Sequence, residues 1–171
     1  MKERTQDLKR VGGIVEVTQA VLLLLHPIAA LLVIREFSRQ RKWRVISTTL
    51  KGDEREKALV EHERAGDLML RYVIAVICLG FAARILSSYI DGHAIEPSLV
   101  LPGHFHGWAG ILGLALMYYL WKQGRATSDA KSAGLKFARI KNLHGKVSDV
   151  MMILIAIHAF LGFLYLLQLI G

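Results

Sequence analysis

The chain of 171 residues holds seven histidines: His26, His62, His93, His104, His106, His144 and His158. An imidazole can carry a proton, bridge hydrogen bonds or ligate a metal near neutral pH. Six of the seven lie within or at the ends of long apolar stretches. An ionisable side chain is costly there, so it is a functional candidate by default. A single neutral histidine in such a place can simply bond across a helix contact. Six together point to ligation or redox chemistry. His93 falls in a polar connection and reads as a solvated surface residue.

Spacing narrows the chemistry. His144 and His158 are fourteen positions apart. At about 100° and 1.5 Å per residue they share one helix face and stand about 21 Å apart along the axis. One mononuclear metal needs its ligands within a few ångströms of each other. This interval suits two separate centres stacked along a helix instead.

Depth, measured from the outer end of each apolar stretch, pairs the histidines. His158 and His26 lie about 18 and 20 Å in, and His144 and His62 about 39 and 42 Å in. Two level pairs from different helices is what two haem irons with axial imidazoles require. The third stretch adds "GHFHG". His104 and His106 are two residues apart, about 200° on a helix, so only one can face a core. His106 is the expected inward one, as a ligand in place of His26 or His158, a quinone-pocket residue or a propionate partner. Gly80, Gly110, Gly113, Ala156 and Gly162 are small enough to leave room for a flat macrocycle.

The elements that must position these residues are four helices of membrane-spanning length. They are expected at about 11–34, 68–90, 102–121 and 147–170, with the second helix starting well before its apolar part. Pro27 directly follows His26 and is expected to kink the first helix. "SYIDGHAIEPSLVLPG" and "QGRATSDAKSAG" read as turn-rich connections. The fold class expected is all-α: one integral membrane four-helix bundle over residues 1–171.

Composition agrees. Hydrophobic residues make up 53% of the chain, and the mean hydropathy is +0.38. The lone Cys78 excludes an internal disulfide, a CxxC pair and a cysteine metal cage. The net charge of +8 sits between the apolar stretches, so it reads as membrane topology and attraction to anionic lipid, not as nucleic-acid binding. Residues 35–64 carry nine Lys or Arg and residues 122–146 carry seven, against four in the N-terminal tail and none in 86–103. The first and third loops are therefore expected in the cytoplasm, in an inner, plasma or thylakoid-type membrane. Arg71 is expected to pair with a haem propionate and Arg84 to snorkel to the interface. Glu16 reads first as an interfacial carboxylate, with proton transfer at a quinone site as its other reading. No nucleophile, phosphate loop or nucleotide motif is present.

One histidine on the first helix, one on the second and two on the fourth at fourteen residues resembles the four-helix, two-haem bacterial cytochrome b561 family. The pattern is similar also to the cytochrome b subunits of membrane-bound nickel–iron hydrogenase and formate dehydrogenase. The extra histidines of the third helix resemble a less characterised cyanobacterial-type branch of two-haem membrane proteins. The resemblance implies that His62 and His144 ligate one haem b and His26 and His158 the other. It also implies electron exchange between a quinone pool and a redox partner protein. Whether the chain is an oxidoreductase subunit, a stand-alone carrier or a homodimer stays open. Two other readings use the same histidines: a membrane copper or zinc protein, and a cofactor-free assembly subunit of a membrane complex.

Overall fold

The computed structural model describes the backbone of residues 2–170 and the side chains of residues 17–168. Five α-helices follow one another: α1 (Lys2–Arg41), a short α2 (Trp43–Thr49), α3 (Gly52–Ile90), α4 (Phe105–Ser132) and α5 (Ala138–Ile170). A 3-10 turn (Pro97–Val100) sits between α3 and α4, and there is no strand among the described residues.

The helices are longer than their apolar runs. α3 begins at Gly52, as its polar helical lead-in predicts, with Asp53 and Glu54 in the first turn, where the helix dipole favours acidic groups. α1 continues through Pro27 without a break. The stretch 123–134, expected as a polar loop, is instead mostly the last turns of α4. Ala126 and Ala130 suit a helix, and the stop comes only at Gly134. The amide of Gly134 bonds Lys131 O, that of Leu135 bonds Ala130 O, and Gly134 takes φ +68°. Gly92 ends α3 in the same way at φ +77°. A left-handed residue closes these helix ends, which glycine does without a Cβ clash.

Three helices are long and apolar enough to cross a membrane, within Val17–Thr49, Gly52–Ile90 and Ala138–Gln168. The third expected span, α4, is not among them: His106, Tyr118, Tyr119, Trp121 and several glycines dilute its Ile and Leu. Large apolar side chains cover the outside. Leu31 is 64% exposed, Ile153 63% and Phe160 60%, a surface that water-soluble monomers rarely carry over such an extent.

The packing order fixes what can meet what. α1 lies against α3, α3 against α4, α4 against α5, and α5 touches α1. Among the described residues the backbones of α1 and α4 do not come close, nor do those of α3 and α5, so these two pairs stand diagonally across the molecule and meet only through side chains. The buried core is Phe37, Met69, Met117, Leu120 and Met151. Met151 lies midway in sequence between His144 and His158, so this apolar layer separates two histidine levels. At one end Gln19 Nε2 donates to Asp91 at 2.6 Å. At the other, Arg41 and Arg44 bond Asp149 at 2.7 and 2.9 Å, and Arg44 also donates to Gly145 O.

Candidate functional site

α3 and α5 bring His62 and His144 to the wall of one cavity of about 680 Å³. That is within the range of small-molecule and cofactor sites, roughly 300–1,000 Å³. Phe37, Met69, Met117 and Leu120 give it an apolar wall, and Arg41, Arg44, Arg55 and Arg125 line it as cations. Trp43 of α2 stacks on His62 at 5.3 Å between ring centres and 18° between planes. Trp121 Nε1 donates to Asp67 at 2.7 Å, with Arg125 3.5 Å from the same carboxylate, tying α3 to α4 beside the cavity.

A second level gathers His26, His106 and His158. The rings of His106 and His158 stack at 4.0 Å and 21°. The His26 and His106 ring centres lie 6.0 Å apart, with their planes at 89°. His104, the N-cap of α4, stacks on Tyr165 at 4.1 Å. His93 is exposed.

Backbone bonds set the protonation of these rings. His26 Nδ1 lies 3.0 Å from Val76 O, His106 Nδ1 3.1 Å from His158 O, and His144 Nδ1 3.0 Å from Leu120 O. A carbonyl oxygen only accepts, so each Nδ1 carries the proton and each Nε2 keeps its lone pair. A fixed Nδ1–H···O=C bond is how proteins orient metal-ligating histidines. His104 is the opposite case. Its Nδ1 accepts from Gly107 N at 3.2 Å, so a neutral His104 has its proton on Nε2. His158 Nδ1 is buried and approaches the His106 main chain without a bond of good geometry.

Glycines make space for each ring. A Cβ at Gly80 would lie 3.0 Å from His26 Nδ1, at Gly162 2.7 Å from His106 Cε1, at Gly110 3.2 Å from His158 Cε1, and at Gly124 3.3 Å from His144 Cε1. Of the small residues picked out in the sequence, Gly80, Gly110 and Gly162 hold this role. Gly113 faces Leu154 instead. Gly124, Trp43 and the three carbonyls were not read from sequence. Gly124 had a signal: it stands fourteen residues from Gly110, the same interval as His144 to His158.

Arg71 is exposed and stands outside the cavity lining, while Arg41, Arg44, Arg55 and Arg125 line it. Arg84 donates to Leu101 O at 2.7 Å, holding the outer connection against α3. Glu16 lies outside the described side chains.

At the inner level His62, His144, an apolar cavity of cofactor size and a cationic rim suit a flat, anionic ligand. Among the described residues no three His, Cys, Asp or Glu side chains gather into a set that could hold a metal ion, the donor number a zinc site takes. Comparison with protein-family models, curated proteins and solved structures returns no match to this chain.

Proposed function

We propose that the chain is a b-type cytochrome: a membrane four-helix bundle that holds two haems at two depths and passes electrons between them. The observation that carries the reading is the set of three histidines, His26, His106 and His144, each with Nδ1–H fixed on a neighbouring helix carbonyl and Nε2 left as a lone pair. Haem would supply one-electron chemistry through its iron, with the potential set by axial ligand, burial and nearby charge.

The residues divide the remaining work. His62 and His144 line the inner cavity and would hold one haem there. Phe37, Met69, Met117 and Leu120 form its apolar wall. Arg41, Arg44 and Arg125 offer charge-assisted bonds to carboxylate groups such as propionates. The outer level draws its ligands from His26, His106 and His158. The basic first and third connections would lie in the cytoplasm, and the exposed apolar side chains would face lipid. The resemblance to cytochrome b561 adds a quinone pool and a redox protein as the natural donor and acceptor.

The test is a reduced-minus-oxidised spectrum of the purified protein with haem quantified as pyridine haemochrome. Bands at about 560 nm and about two haems per chain are expected for bis-histidine b-type sites. A protein that purifies from haem-sufficient cells with no Soret band, and that takes up none when haem is added, sinks the proposal.

A further inference from the structure

We infer that His26 and His106 are the axial pair of the outer haem, and that His158 is a positioning residue beside them and not a ligand. The inference rests on the cytochrome reading above and departs from the His26–His158 pairing that the resemblance implies.

Distance comes first. A metal–imidazole bond is about 2.0 Å, and a ring nitrogen lies about 1.2 Å from the ring centre, so two imidazoles on opposite sides of one metal hold their centres about 6.4 Å apart. His26 and His106 stand at 6.0 Å. His106 and His158 stand at 4.0 Å and nearly parallel. Rings stacked face to face at that distance leave no room for a metal between them.

Helix order gives the second argument. Axial ligands approach iron from opposite sides, so they belong on helices that face each other across the molecule. The inner histidines already obey this: His62 is on α3 and His144 on α5, which are diagonal. The other diagonal is α1 with α4, which carry His26 and His106. His158 is on α5, a neighbour of both α1 and α4. Each haem level would then use one diagonal.

The third argument is hydrogen bonding. His26 and His106 both have Nδ1 fixed on a carbonyl, as His144 does. The buried His158 Nδ1 has no bond of good geometry, only a weaker approach to the His106 main chain. His158 holds His106 in two ways: its main-chain oxygen accepts from His106 Nδ1, and its ring packs on the His106 ring. The first of these survives any substitution at 158.

The test uses the full-length protein in detergent, with haem per chain and low-temperature EPR as readouts. His26→Ala and His106→Ala should each fall from two haems to one. His158→Phe should keep two. The 89° between the His26 and His106 planes predicts a strongly anisotropic low-spin EPR signal for the outer haem. That signal should be absent from His106→Ala and shifted in His158→Phe, whose altered ring presses on an unchanged ligand. Because any of these changes could disturb the helix contact, His106→Gly and His158→Gly are also prepared with added imidazole. Imidazole should restore the second haem and its signal to His106→Gly. Two haems in His106→Ala, no rescue of His106→Gly, or rescue of His158→Gly overturns the assignment. A wild-type protein without haem would sink the cytochrome reading itself, which keeps the two failures apart.

Discussion

Gly124 of α4 faces His144 of α5 so closely that a Cβ there would stand 3.3 Å from the imidazole Cε1. Fourteen residues earlier Gly110 meets His158, and His106 meets Gly162. One antiparallel register between α4 and α5 produces all three meetings. The helices approach through glycine, whose missing side chain lets backbones come close, and the histidines fill the gaps.

If the chain is the two-haem cytochrome proposed above, adding bulk at these glycines should remove one haem at a time. Gly124→Val should displace His144 and lower haem content from two per chain toward one, with the outer EPR signal kept. Gly162→Val should do the reverse through His106. Haemochrome and EPR on the two variants check this; equal loss of both centres in each would contradict the two-level arrangement.

Met151 is 2% exposed and central to the apolar layer between the levels. Met151→Ala should cost about 2–5 kcal/mol, the usual range for truncating a buried methionine. Met151→Leu conserves volume and should cost under about 1.5 kcal/mol. Denaturant unfolding in detergent measures both.

The Trp121–Asp67 bond ties α4 to α3 at the cavity wall. Asp67→Ala leaves the half-buried indole N–H unpaired and should destabilise by about 1–3 kcal/mol. Asp67→Asn keeps an acceptor and should recover most of that. If alanine and asparagine lower the unfolding midpoint equally, the bond is not what stabilises the contact.

Topology can be read by labelling. In a Cys78→Ser background, cysteines at Lys51 or Lys136 should react with an impermeant maleimide only from the cytoplasmic side. Cysteines at His93 or Glu96 should react only from the opposite side. The reverse pattern would invert the orientation drawn from the Lys and Arg distribution.

Much of this was legible in the residues themselves. Apolar runs of spanning length made α1, α3 and α5 visible, because hydropathy and helix rise are local properties. The helical character of "EREKALVEHERAGDLML" likewise placed the start of α3 ahead of its apolar part. The His144–His158 interval put both rings on one face, since a helix repeats regularly along its own axis. The two-residue step put His104 and His106 on different faces, and the "GWAGILG" after His106 marked it as the inward one.

Tertiary structure decided the rest, because it depends on which helices become neighbours. Composition cannot say that α1 stands diagonal to α4, so it could not tell His106 from His158 as the ring opposite His26. Carbonyl acceptors are the same in every residue, so Val76, Leu120 and His158 carried no sign of holding a histidine. Arg71 and Arg125 are alike as letters; the turn of each helix puts one outside and the other on the cavity wall. The sequence determined that imidazoles would sit at two depths in apolar helices, and only the packing of those helices decided which rings face each other.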